Sequence, residues 1–360
     1  MGSLVSASGD RIVSAKRKAV VRDREEAVKR DREGAVEPAS EPGAPLLSVE
    51  DLRVELVSGL SVVRGVSLRL DAGRTLGIVG ESGSGKSVTA RAIMGLLPRD
   101  TWRVGGSVRL RGRELVGLAP RPLRRVWGND VAMVFQDPMR SFDPTMRVGD
   151  QIVEAMRSHL DIDRGAARAR AIHLLRMVRV PAAEDYVRLY PHQLSGGMRQ
   201  RVMIAIALSC SPGLLIADEV TTALDVTTQA HVMQLLKDLQ SELGMALVLI
   251  THDIRLASAY TDEVVVMYAG RIVERAPTAA LLDRPRMPYT RALLDSVPRM
   301  GMAPHEPLSV IGGRPADPTA LPPGCPFHPR CSFVAEVCRE SEPASQELEP
   351  DHLAACWFPL

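Results

Sequence analysis

The chain has 360 residues, 45% of them apolar and 24% charged, with a formal net charge of +2. That length allows one large α/β domain with smaller additions, and the balanced charge gives no reason to expect a nucleic-acid partner. No apolar run approaches the ~18 residues a membrane-spanning helix needs, and the N-terminus lacks the apolar core of a signal peptide. A cytosolic location is the expectation, with attachment to a membrane through a partner left open.

Residues 10–36, DRIVSAKRKAVVRDREEAVKRDREGAV, mix both signs of charge and hold an imperfect repeat, RDREEAV and KRDREGAV. Such a segment has too little apolar surface to build a core, so a disordered or weakly helical leader is expected. The early KRK cluster offers an alternative, contact with an anionic membrane. VEPASEPGAP at 36–45 reads as a linker, and folded structure is expected from near Leu46.

Next comes TLGIV at 75–79, an apolar run suited to a buried strand, then GESGSGKS at 80–87 and the helical pattern VTARAIMGLL. A glycine-rich loop between strand and helix can turn successive backbone N–H groups around phosphate oxygens, at the positive end of the helix. Gly80, Ser82, Gly83, Ser84, Gly85, Lys86, Ser87 and Val88 form the candidate nucleotide-binding set. Lys86 is expected at the β- and γ-phosphates and Ser87 at Mg²⁺. VAMVF at 131–135 is a further strand that ends at Gln136, a neutral donor and acceptor suited to contacting Mg²⁺, water and γ-phosphate together.

LSGGMRQR at 194–201 precedes the apolar helix pattern VMIAIALS. Ser195, Gly196 and Gly197 at a helix start make a second anion-binding nest. One chain has no obvious use for two, so this one is expected to cover the γ-phosphate of a nucleotide held by another subunit. The strand GLLIADE at 213–219 delivers two carboxylates, Asp218 to hold Mg²⁺ and Glu219 to polarise an attacking water. MALVLI at 245–250 then delivers Thr251, His252 and Asp253, with His252 placed to contact the γ-phosphate or position the water.

In this order the motifs resemble the nucleotide-binding subunit of an ABC transporter, over roughly residues 47–275. Gly80–Ser87 is similar to the Walker A loop, Gln136 to the Q-loop, Leu194–Gln200 to the signature and Leu214–Glu219 to the Walker B strand. Ala223–Asp225 is similar to the D-loop and His252 to the switch histidine. The resemblance implies an α/β fold: a P-loop NTPase RecA-like core with an antiparallel β-subdomain and an inserted α-helical subdomain, here about 138–200. It further implies a head-to-tail dimer in which Ser195, Gly196, Gly197 and Asp225 act on the partner's ATP. Two positions depart from the pattern. Val220 stands where the family usually has Pro after the catalytic Glu, and LLSVEDLRVEL at 46–56 lacks the usual adenine-stacking aromatic, leaving Leu56 or Val57 in that place. Slight loosening at the first and weaker base stacking at the second are expected.

Cys325, Cys331, Cys338 and Cys356 lie late in the chain as C-x5-C-x6-C-x17-C, while Cys210 stands apart as an expected buried thiol. Four thiolates so spaced can converge on one metal centre, and spacing alone leaves an iron–sulfur cluster, zinc and free thiols open. GCPFHPRC at 324–331, with Pro288-Tyr289-Thr290 and VFQDPMRSFDPTMRVGDQI at 134–152, is similar to the oligopeptide/dipeptide branch of ABC importers, which includes nickel importers. That resemblance implies a [4Fe–4S] cluster on the four cysteines, pinning the extension to the core, with His328 and His352 either alternative ligands or surface histidines. The expected layout is leader and linker at 1–45, cassette at 46–275 and a small cysteine-bearing extension at 276–360.

The implied activity is ATP hydrolysis powering peptide import from the cytoplasmic face of the membrane. Implied partners are a second ATPase subunit, with a heterodimer preferred, two transmembrane permeases and an extracellular solute-binding protein. Phe142–Gln151 is expected to touch the permeases. The alternatives are import of nickel or another small solute, and a regulatory subunit with little hydrolysis.

Overall fold

In the described chain, β1 (Leu47–Leu56) and β2 (Ser61–Leu70) alternate buried apolar with exposed polar residues, as strands with one covered face do. They pair antiparallel. The five residues of β3 (Thr75–Val79) are all buried and open a second sheet. The chain returns to the first sheet with β4 (Trp102–Leu110) and β5 (Arg113–Glu114), giving the order β2-β1-β4-β5. The computed structural model describes residues 44–222, 224–297 and 310–360, so the leader expected at the N-terminus lies almost wholly outside the described residues.

The second sheet adds β6 (Val131–Val134), β7 (Leu214–Asp218), β8 (Ala246–Thr251), β9 (Glu263–Tyr268), β10 (Arg271–Pro277), β11 (Gln346–Glu349) and β12 (His352–Ala354). Its order is β11-β12-β10-β9-β3-β8-β7-β6. Strands β9, β3, β8, β7 and β6 run parallel, and their near-continuous apolar sequences reflect burial on both faces. Register puts Val79 opposite Thr251, Asp218 opposite Ile250 and Val134 opposite Ala217. The residues that follow β3, β6, β7 and β8 therefore emerge along one carboxyl edge, where parallel sheets bind ligands.

The helices that place the site are α1 (Lys86–Ile93), α2 (Val148–Arg157), α3 (Arg164–Met177), α4 (Gly196–Ala207), α5 (Val226–Leu243), α6 (Ile254–Tyr260) and α7 (Pro288–Ser296). Helices α2, α3 and α4 bury Ile152, Met156, Leu175, Val202 and Ile204 in one apolar cluster that continues to α5 and the sheet. Within the segment 142–151, expected at a permease contact, Phe142, Val148 and Gln151 are buried while Asp143, Pro144, Thr145 and Arg147 are exposed, and Phe135 and Met139 just upstream are exposed as well.

The late part of the chain continues the core. Strands β12 and β11 extend the second sheet beyond β10, antiparallel, and the described residues of Pro45–Leu360 pack as one unit. Tyr268 of β9, Tyr289 of α7 and Phe327 form a trio of rings with centroids 4.6–5.4 Å apart, a favourable tilted and edge-on arrangement. The expectation that His352 lies at the surface is corrected. Its side chain is 2% exposed, with Nε2 2.8 Å from Glu274 Oε1, because pairing of β12 with β10 carries it into the core.

Candidate nucleotide site

The chain leaves β3 through Gly80, where a Cβ would sit 2.2 Å from the Met267 carbonyl oxygen, so only glycine fits there. Gly85 caps α1 at φ 100°, in the left-handed region that glycine adopts without cost. Lys86 opens the helix, its side chain 4% exposed, and its Nζ donates to Gly80 O at 2.8 Å and Glu81 O at 2.9 Å. Burial depresses its pKa, opposed by Glu219, Asp218 and Glu81.

Ser87 Oγ donates to Asp218 Oδ1 at 2.8 Å at the end of β7. The other Asp218 oxygen, Oδ2, is buried without a hydrogen-bond partner. Burial raises the Asp218 pKa, with the Ser87 bond pulling the other way. An orphaned carboxylate oxygen beside a hydroxyl is the donor set a hard dication takes, and it fits Mg²⁺. β7 ends one residue short of the sequence expectation: Glu219 leaves the strand at φ 47°, its N–H still bonded to Ile250 O at 2.9 Å. Gln136 Nε2 donates to Glu219 Oε2 at 2.7 Å, and Glu219 Oε1 stands 3.9 Å from Lys86 Nζ. Lys86, Ser87, Gln136, Asp218 and Glu219 are thus gathered at one edge.

His252 reaches that edge through the register of β8 and is exposed. Asp253 beside it caps α6, accepting from the N–H groups of Arg255 and Leu256 at 2.9 Å each. Val220 is 3% exposed and packs in the cluster shared with the helical insertion. At the expected base position Leu56 is half-buried, and Val57 is 47% exposed.

Ser195 caps α4 and accepts from Met198 N–H at 3.4 Å. A Cβ on Gly197 would lie 2.9 Å from the Thr228 methyl, and Asp225 caps α5 by accepting from Thr228 N–H at 3.0 Å. The Thr228 N–H holds the Asp225 carboxyl below the usual carboxylate range. The signature and the residues after β7 therefore sit together. No hydrogen bond or ion pair joins 195–197 to 80–87 among the described residues.

Cys325, Cys331, Cys338 and Cys356 line one cavity with Phe327 and His328. Burial pushes the Cys325 thiol up to about 11 and raises those of Cys331 and Cys356. The Phe333 N–H donates to Cys331 Sγ at 3.4 Å. Among the described residues no group of three His, Cys, Asp or Glu is gathered as a single metal ion would require.

Contacts that sequence reasoning missed join the extension to the phosphate loop. Arg330 pairs with Glu81 through both terminal guanidinium nitrogens, and Tyr289 Oη accepts from Glu81 N–H. Glu81 occupies a variable position of the loop motif, and Arg330 lies among cysteines that drew the attention. No local pattern links the two.

Sheet order, phosphate loop and paired carboxylates define a P-loop ATPase of the cassette type. The chain matches the family model "ABC transporter" over residues 63–222 and "Oligopeptide/dipeptide transporter, C-terminal region" over 273–338. It is 49% identical over 318 residues to the probable peptide ABC transporter ATP-binding protein y4tR of Sinorhizobium fredii, covering 87% of this chain and 94% of that protein. To the oligopeptide transport ATP-binding protein OppD of Escherichia coli it is 45% identical over 318 residues, covering 88% of this chain and 94% of that one. The dimeric post-hydrolysis structure of the ATP-binding cassette MJ0796 with ADP and Pi superposes with TM-score 0.57 at 26% identity, covering 64% of this chain and 98% of that one. The chain belongs to the ATP-binding subunits of ABC transporters, in the oligopeptide/dipeptide group.

Proposed function

We propose that this chain hydrolyses ATP to power import of di- or oligopeptides by a binding-protein-dependent transporter. The observation that carries the reading is the gathering of Lys86, Ser87, Gln136, Asp218 and Glu219 at one sheet edge. The peptide cargo rests on the names of the relatives. Backbone N–H groups of Gly83–Lys86 and the Lys86 ammonium hold the triphosphate, and the lysine moves off the loop carbonyls to do so. Ser87, Asp218 and Gln136 would hold Mg²⁺, which when bound neutralises charge developing on the phosphoryl oxygens. Gln136 leaves Glu219 on reaching the nucleotide, which frees that carboxylate to polarise the attacking water. His252 orients the γ-phosphate side. Ser195, Gly196, Gly197 and Asp225 serve the partner's nucleotide, a reading consistent with residues 195–197 making no hydrogen bond or ion pair to 80–87 among the described residues.

In the assembled transporter, Glu219→Gln is expected to lower ATP turnover by about 10²–10⁴-fold while ATP still binds. Equal rates would remove Glu219 from the mechanism. The assembly we propose contains a second, different ATP-binding subunit, two permeases and an extracellular solute-binding protein, at the cytoplasmic face of the membrane. No described helix is long and apolar enough to cross a bilayer. Exposed Phe135 and Met139, which flank Gln136, join the exposed residues Asp143, Pro144, Thr145 and Arg147 as candidates for meeting the permeases.

For the four cysteines we propose a [4Fe–4S] cluster. The four sulfurs share one cavity, and the Phe333 N–H that donates to Cys331 Sγ would stabilise a thiolate ligand there. Iron and acid-labile sulfide should each approach about four per chain in protein purified without oxygen. One zinc, or no metal, would refute the cluster.

A further inference from the structure

Glu81, the second residue of the phosphate loop, is held at each of its polar groups. Its N–H donates to Tyr289 Oη at 2.9 Å. Its carbonyl accepts from Lys86 Nζ at 2.9 Å and from Ser84 N–H at 3.2 Å. Its carboxylate takes a two-pronged contact from Arg330, Nη1 to Oε2 at 2.6 Å and Nη2 to Oε1 at 2.9 Å. Both outside partners, Tyr289 and Arg330, belong to the late part of the chain, and the Arg330 side chain is 3% exposed. Arg330 is in turn fixed by donation from Nε to Gly312 O at 2.8 Å, and it stands over the Phe327 ring.

This geometry has two consequences for a triphosphate. The carbonyl that anchors Lys86 cannot shift without disturbing the grip on the same residue's N–H and carboxylate. An unpaired Glu81 would also place a negative charge on the loop that must receive an anion, and the planar guanidinium fork cancels it where a lysine would not match the geometry.

We propose that Arg330 and Tyr289 are positioning residues of the nucleotide site, through which the cysteine-bearing extension sets the phosphate loop and the affinity for ATP. The proposal rests on the reading that this chain binds ATP. It also gives the extension a role in nucleotide binding: Arg330 directly precedes Cys331, so whatever orders the cysteine cavity orders the clamp.

The test is ATP titration of the full chain, purified without oxygen, against Arg330→Met, Arg330→Lys, Tyr289→Phe, Glu81→Gln and the Glu81→Gln/Arg330→Met double variant. Arg330→Met should weaken ATP binding by about tenfold, within the usual range of coupling between sites. Turnover at saturating ATP should change by less than about twofold, because the clamp touches none of the reacting atoms. Removing the uncompensated charge in the double variant should recover part of the lost affinity, and Arg330→Lys should fall between parent and Arg330→Met. Tyr289→Phe removes one hydroxyl and keeps the ring packing, so it reports on the loop even if Arg330→Met folds poorly. Should the Arg330→Met and Tyr289→Phe variants both bind ATP within about twofold of the parent, the proposal is overturned. Strictly additive effects in the double variant would overturn it too. A parent chain that binds no ATP would sink the functional reading along with it, whereas a binding parent with unaltered variants sinks the clamp alone.

Discussion

Asp218 shows how much one carboxylate can be asked to do. It is 1% exposed, gives one oxygen to Ser87 and leaves the other without a partner. Burial raises its pKa, so the nucleotide-free fold binds a proton there more tightly than the unfolded chain does. Its contribution to stability is therefore present at acid pH, below the unfolded value, and is lost as pH rises through the raised one. If Asp218 holds Mg²⁺ as proposed, it does so in the ionised form, so that proton and metal would compete for the same oxygen. The Mg²⁺-dependent part of ATP affinity should therefore fall as pH is lowered through the raised value of this carboxyl. Titrations with and without Mg²⁺, repeated on Asp218→Asn, separate this from protonation of the nucleotide itself, which is common to both chains. A parent and an Asn variant with identical pH profiles would take Asp218 off the metal.

Between elements, a single buried acid holds the late strands to the core. Glu274 of β10 is 1% exposed. It accepts from Arg286 N–H at 2.6 Å and Met287 N–H at 3.0 Å, just before α7, and meets His352 of β12 at 2.8 Å. Removing the carboxylate leaves two backbone donors and an imidazole buried without it. Glu274→Ala should cost about 3 kcal/mol and expose the C-terminal strands to protease, as followed by denaturant unfolding and limited proteolysis. A loss below about 1 kcal/mol with an intact C-terminus would show that the aromatic trio and the strand ladder suffice. The strands of the parallel core were readable because burial on both faces demands unbroken apolar runs: TLGIV spans β3, and VAMV within VAMVF spans β6. Helix starts were readable where a capping residue or glycine precedes the helix, as at Ser195 and Gly85. The docking of β11 and β12 was not readable. Their sequences, QELE and HLA, carry no apolar periodicity, and the hairpin they form joins the sheet only through the pairing of β12 with the distant β10.

Across the whole molecule, local chemistry and long-range contact divide the explanation. The sequence by itself determined the family and its nucleotide motifs, because each candidate group sits in a short motif whose backbone geometry is encoded within a few residues. Glycines shape the phosphate loop, carboxylates end a buried strand, and a serine with two glycines opens α4. It also implied that the four cysteines belong together. Only the tertiary structure decided that the extension joins the main sheet, that His352 is buried against Glu274, and that Arg330 reaches Glu81 across 249 positions of chain. The physical reason is separation along the chain. A loop or a cap is an arrangement of neighbours, whereas an ion pair between distant residues exists only once the intervening strands have paired and brought both charges out of water together.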